Sequence, residues 1–180
     1  MSSVAANIAA IIKHIDKEPG REGLRETPNR YAKFIEEFTS PPAFTPTTFA
    51  SEGYNEMIVQ DNIAFYSLCE HHLLPFFGTG TVAYIPNERI IGLSKLARTL
   101  EHHSRRLQNQ ERITEQVAEY LQDILKPKGV GVVLSARHLC MEMRGVSKPN
   151  VCTTTSTLRG IFKTNPRTRG EFLNLKKGLR

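Results

Sequence analysis

The order of elements along this chain predicts an α+β domain, an antiparallel sheet with two helices laid on one face. Two observations carry the prediction. Strand-forming stretches come in sequential pairs, 57–68 with 78–86 and 129–136 with 153–163. Two amphipathic helical stretches, 94–106 and 111–125, stand between the pairs. Strands that follow one another favour antiparallel hairpins, and helices inserted between hairpins gather on one side of the sheet. Such a sheet has open edges and a wet face, and oligomerisation is the simplest cover for both.

Each element has its own signal. Ile8, Ile11, Ile12 and Ile15 recur at helical spacing, which predicts an amphipathic helix ending near Pro19-Gly20. A second helix is marked by Thr27 as its cap and Pro28 in its first turn, with Tyr31, Phe34, Ile35 and Phe38 as the apolar stripe. The proline- and threonine-rich stretch 40–48 reads as a linker. Residues 1–50 therefore read as a helical arm with its linker, and 51–180 as the sheet-bearing domain. In the first strand pair, Pro75 and Gly78 belong to the connection. Ser94 caps the first core helix, while Ile113, Val117, Tyr120, Leu121 and Ile124 form the stripe of the second. The unbroken apolar run 129–136 predicts a buried strand, and the threonine-rich 153–163 its partner. A last short helix is expected over 169–175.

Composition narrows the functional classes. The chain has one-domain length at 180 residues, and no apolar run approaches a membrane span. The first ten residues lack the basic-then-apolar order of a secretory signal. Three cysteines, two of them close to histidine, make no disulfide framework and point to a reducing cytoplasm. A net charge of +6 suits nucleic acid, a membrane surface or a polyanionic small molecule, and equally a solvated surface with a few extra cations. Part of the excess lies in residues 176–180, a terminus expected to fray.

The chemistry concentrates in two short segments, Cys69-Glu70-His71-His72 and His138-Leu139-Cys140. Two residues separate Cys69 from His72, so one turn can aim a thiolate and an imidazole at the same metal, and Cys140 can close the set from another strand. Three protein ligands leave tetrahedral zinc an open position for water, the arrangement of a catalytic site. His71 and His138 then stand beside the ligands as proton-transfer groups. Taken alone, the two cysteines also read as small buried hydrophobes. Gly92-Leu93-Ser94-Lys95 opens a helix with a hydroxyl and a cation at its N-terminus, where phosphate is attracted, and Arg98 follows about one turn on. Without other signals this is a capped, solvated basic face. Glu111 reads either as a carboxylate favouring the helix dipole or as an anchor for a donor-rich heterocycle. Arg144 reads as a phosphate contact or a surface ion pair.

These motifs, with Arg-Arg-Leu-Gln-x-Gln-Glu-Arg at 105–112 and His-x-Cys-Met-x-x-Arg-Gly-Val at 138–146, occur in the order seen in the GTP cyclohydrolase I family, which the chain resembles from about Glu18 onward. The resemblance implies the tunnelling fold, in which ββααββ subunits form a barrel and stack into a toroidal homodecamer with active sites at subunit interfaces. It implies conversion of GTP to 7,8-dihydroneopterin triphosphate and formate. On this chain the zinc ligands would be Cys69, His72 and Cys140, the acid–base pair His71 and His138, and Ser94 would assist ribose opening. Glu111, with Gln110 nearby, would hold guanine. Lys95, Arg98, Arg144 and Arg30 would bind the triphosphate, some from a neighbouring subunit. No nucleic-acid or membrane partner is implied. Three features depart from the pattern: Asn109 replaces an expected valine, His102 and His103 stand where apolar residues are usual and read as surface positions, and Cys152 reads as a free thiol. Two other readings compete. Related tunnelling-fold proteins act on pterins or deazapurines but lack this Cys-x-x-His with His-x-Cys. A basic zinc-stabilised nucleic-acid binder requires a closed, four-ligand metal site.

Overall fold

A computed structural model describes residues 2–41 and 43–178 and divides the chain into two compact units, Met1–Pro41 and Pro42–Arg180. In the first, α1 (Ser3–Ile15) starts where the Ser2 hydroxyl accepts from the Ala5 amide, and it stops at Ile15, short of the expected Pro19-Gly20. A 3-10 turn, Glu22–Leu24, leads to α2 (Thr27–Thr39). Thr27 does not cap α2. It is already helical, and its hydroxyl donates back to Gly23 O. Pro28 occupies the first turn as expected, since its missing N–H would be unpaired there anyway. Ala5 of α1 and Ala32 of α2 are the buried small residues that let the two helices meet.

The second unit is an α+β domain. Its five-stranded sheet has the order β5-β2-β3-β6-β7, from β2 (Ile58–Cys69), β3 (Pro75–Ile85), β5 (Leu107–Gln108), β6 (Gly129–His138) and β7 (Cys152–Gly160). All neighbours are antiparallel except the two-residue β5, which runs parallel to the end of β2. A separate ribbon pairs β1 (Thr48–Ala50) with β4 (Arg89–Ile91). Pro75 and Gly78 belong to β3 and not to the hairpin connection, which is residues 70–74. Pro75 takes the first strand position, where no ladder donor is missed. Gly78 is required by packing: a Cβ there would sit 1.9 Å from Ser135 O of β6.

Both core helices cover the same face of this sheet. Leu96 and Leu100 of α3 (Leu93–Ser104) and Ile113, Val117 and Leu121 of α4 (Gln110–Leu125) share one core with Phe65, Phe76, Val82, Tyr84, Val132 and Leu134. Each such side chain, fully buried, contributes about 1.5–3 kcal/mol of transfer free energy. On the other face Ala83, Ile85 and Val133 are covered by Phe162 and Phe172, whose rings meet edge to face at 5.4 Å. Phe162 comes from α6 (Ile161–Thr164) and Phe172 from α7 (Pro166–Gly178), so part of the expected wet face is dry. α7 starts earlier than expected and runs through most of the basic tail, of which Leu179 and Arg180 lie outside the described residues.

Two details of the helices differ from expectation. The residue preceding α3 is Gly92, and Ser94 sits exposed inside the first turn without capping it. His102 and His103 are half-buried, not surface positions: Phe44 packs on His102 at 5.8 Å and Tyr120 on His103 at 5.5 Å. Burial, with the nearby His102 and Arg106, pushes the His103 imidazole down to about 4. At the start of α4, Asn109 is the cap: its Oδ1 accepts from Arg112 N at 2.8 Å while its Nδ2 donates to Glu70 at 3.1 Å. The residue that departs from the expected valine thus ties α4 to the hairpin turn.

Two outcomes follow. Asn109→Ala should lose about 1 kcal/mol, the usual worth of an N-cap, and lower the thermal midpoint. A variant as stable as the parent would show that the cap is not holding α4. The unfolded His103 binds a proton near pH 6.5 and the folded one only near 4, so stability should decline as pH falls across that window and stay level above it. His103→Gln should flatten that decline in pH-dependent melting curves.

Candidate metal centre and its cavity

The metal-binding geometry begins at the end of β2. Cys69 is the strand's last residue and is buried, and the turn that follows is closed by Cys69 N to Leu74 O at 2.8 Å and Leu73 N to Cys69 O at 2.8 Å. His72 N donates to Cys69 O at 3.3 Å, and Leu73 adopts φ +56°, which lets the chain reverse into β3. The third donor arrives through the sheet. β3 pairs with β6 so that Phe76 lies opposite His138, and the short α5 (Leu139–Glu142) then carries Cys140 over the hairpin turn. One ligand atom from each of Cys69, His72 and Cys140 lies within 4.8 Å of the other two. His71 stays outside this set: its Nδ1 is 3.7 Å from the Cys69 sulfur, but its Nε2 faces Glu70 at 3.9 Å.

The donor chemistry fits a soft divalent cation. Burial, and then the Cys69 sulfur beside it, push the Cys140 thiol up, so Cys140 resists ionising without a cation nearby. A coordinated cation removes that penalty, because its charge deprotonates the thiols it binds. Two sulfurs and an imidazole are the set that favours zinc among common metals. Among the described residues the set has three members, so the closed four-ligand site of a nucleic-acid module is not formed.

A cavity of about 220 Å³ opens beside the donors and is also lined by His71, His138, Gln110 and Glu111. His138 is held in two ways. Phe76 stacks on its face at 4.6 Å with 5° between the planes, and Gln110 Oε1 lies 2.8 Å from its Nε2. Burial pushes the His138 imidazole down, and the Glu111 carboxylate acts against that shift. Gln110 itself is buried, whereas Glu111 is exposed in the first turn of α4. Arg144, exposed in the segment after α5, donates to His72 Nε2 at 2.9 Å. A larger and more open depression of about 760 Å³ lies between α4 and β7, away from every metal-ligating residue of the set.

Not every residue singled out from the sequence meets in this cavity. Ser94, Lys95 and Arg98 sit at the start of α3, which follows β4 beyond the far end of β3. Only the opposite end of α3 returns toward the site, through β5 beside Leu68, so its N-terminus stands off by one helix length of about 18 Å. Arg30 lies exposed on α2 of the N-terminal unit. Sequence reasoning passed over the support beneath the hairpin turn. Glu70 is gripped by the Arg112 guanidinium through bonds of 2.6 and 3.0 Å, which holds its carboxyl below the usual range, and Asn109 adds a third bond. Its only trace in the sequence is the Asn-Gln-Glu-Arg run, because the partners are some 40 positions apart.

Comparison with known proteins gives the family. A family model described as GTP cyclohydrolase I matches residues 4–177. A protein of Aquifex aeolicus named GTP cyclohydrolase 1 is 52% identical over 173 residues, covering 96% of this chain and 94% of that protein. Relatives of the same name from a Sulfurihydrogenibium species and from Campylobacter jejuni are 53% and 52% identical, covering 93% of this chain and 90% and 91% of their own lengths. A match over nearly the full length, joined to a three-donor metal set beside a histidine-lined cavity, places this chain in the GTP cyclohydrolase I family.

Proposed function

We propose that this chain converts GTP to 7,8-dihydroneopterin triphosphate and formate, the first step of pterin and folate synthesis. The observation that carries the reading is the convergence of Cys69, His72 and Cys140 within 4.8 Å beside a cavity that also holds His138 and Glu111. Cys69, His72 and Cys140 would hold zinc, which supplies Lewis acidity and a water made acidic enough to ionise near neutral pH. Two waters add in turn at C8 of guanine and both of its C–N bonds break, so C8 leaves as formate with its hydrogen retained. The ribose carbons then close the new six-membered ring, with one water lost in closure and no redox cofactor required.

The chain's own side chains divide the remaining work. His138 and His71 move protons to and from the purine nitrogens. Glu111 takes the N–H groups of guanine, and its exposure at the head of α4 leaves the carboxylate open to them. Arg144 is available to phosphate: coordination through His72 Nδ1 puts a hydrogen on Nε2 and removes the acceptor that Arg144 now uses. The 220 Å³ cavity is smaller than the roughly 300–1,000 Å³ of sites that enclose whole ligands, so it suits the base and not the triphosphate. Lys95, Arg98 and Ser94 stand too far from the cavity of their own chain, which supports a site completed by neighbouring subunits of a tunnelling-fold homodecamer. In that assembly Arg30 adds to the phosphate-binding cations. Free thiols at Cys69, Cys140 and Cys152 are in keeping with a cytoplasmic enzyme.

Zinc-loaded protein given GTP should release formate and form the pterin chromophore together, and a chelator should abolish both. Folded, zinc-bearing protein that yields neither product would sink the reading. Cys140→Ser should lose zinc and turnover together. His138→Gln should keep zinc and lose turnover by about 10²-fold or more, the scale of a positioned acid–base group. Near-normal turnover in His138→Gln would remove it from the proton-transfer role.

A further inference from the structure

The side-chain amide of Gln110 is buried, 1% exposed, and its hydrogen bonds allow it one orientation. Its nitrogen lies 3.2 Å from Leu134 O, 3.0 Å from Thr153 O and 3.1 Å from Thr155 Oγ1. The two backbone carbonyls can only accept, which makes the nearby amide group the NH2. The Thr155 hydroxyl leads to the same result. Thr114 donates its single hydroxyl proton to Gln110 O at 2.7 Å, so the Thr155 proton goes to Thr114 Oγ1 at 2.7 Å. That leaves only lone pairs on Thr155 for Gln110. With its nitrogen turned to β6 and β7, the amide presents Oε1 to His138 Nε2 at 2.8 Å.

We propose that Gln110 is a positioning residue that locks His138 in the tautomer with hydrogen on Nε2. An amide oxygen has no proton to give, so Nε2 carries the hydrogen of that bond and Nδ1 carries the lone pair. Phe76, stacked on the ring, keeps it from turning out of the plane of Gln110. His138, which lines the cavity, therefore enters the reaction as a proton acceptor at Nδ1, the nitrogen that keeps its lone pair. The proton it takes from the adding water is then returned from Nδ1 to a purine nitrogen, and the ring ends as it began. Both polar ends of the Gln110 side chain have partners inside the chain, so its direct hold is on the imidazole. The order of proton transfers rests on the reaction proposed above, whereas the tautomer does not.

The test reads the tautomer before any reaction. Zinc-loaded protein labelled with 15N-histidine, without GTP and above neutral pH, is examined by magic-angle-spinning spectroscopy, with the His138 signals assigned by their loss in His138→Gln. The expected result is a protonated Nε2 and an unprotonated Nδ1. Hydrogen on Nδ1 in the wild-type protein would overturn the proposal, whatever the substrate proves to be. Gln110→Leu should release the ring into a mixture of tautomers while retaining zinc. With GTP, Gln110→Leu should lower kcat by about 10²-fold and leave KM within about twofold. Gln110→Glu, which keeps an oxygen for Nε2, should recover part of kcat. A raised KM with kcat preserved would make Gln110 a base-contacting residue and overturn its positioning role. If Gln110→Leu does not fold, the wild-type spectrum alone decides.

Discussion

The register between β3 and β6 is the constraint on which the site depends. Phe76 lies opposite His138, and from that pair the rest of the centre follows. The hairpin turn that carries Cys69 and His72 begins where β2 ends, beside the start of β3. The chain leaving β6 delivers Cys140 two residues after His138. A slip of one residue would turn every side chain of β6 to the opposite face. It would take His138 off Phe76 and Cys140 off the turn. The ladder is fixed by the buried alternation of Val130, Val132, Leu134 and Ala136, and by the glycine at 78 that admits Ser135 O so closely. The same residues that stabilise the sheet therefore set the metal geometry.

A second layer of order comes from polar groups that the core cannot leave unpaired. Gln110, Thr114 and Gln108 are all buried, and each finds partners in neighbouring strands or helices. Burying such groups without partners costs about 1–3 kcal/mol each, so a network of this kind admits few alternatives. At the head of α4 the network has a functional consequence. Asn109 caps the helix and reaches Glu70 on the metal turn, Gln110 holds His138, and Glu111 faces the cavity. Three consecutive residues couple helix, hairpin and strand.

The cavity within one chain holds the donors and the histidines but lacks the basic residues at the start of α3. This follows from topology. α3 follows β4, beyond the far end of β3, and runs back toward the site, so its N-terminus cannot also lie there. A chain built this way separates Ser94, Lys95 and Arg98 from its own metal set and histidines. Among the described residues, β7 is the outermost strand of the sheet on the side opposite β5.

The residue types of the metal set, the apolar stripe of α4 and the α+β order were all legible in the sequence, because each depends on local spacing or on side-chain chemistry alone. Element ends were less legible. Pro75 and Gly78 look like turn residues, yet a strand accepts proline at its first position and needs glycine where another strand approaches. Ser94 looks like a cap, but the chain enters α3 through Gly92, and the cap that matters on α4 is Asn109, visible only once Glu70 is beside it. His102 and His103 look solvated until Phe44 and Tyr120 are packed against them. Sequence alone thus determined which groups could bind a metal or move a proton. Tertiary structure decided which of them meet, how His138 is held, and that Ser94, Lys95 and Arg98 stand apart, since contacts between residues tens of positions apart depend on strand register and on the packing of buried side chains.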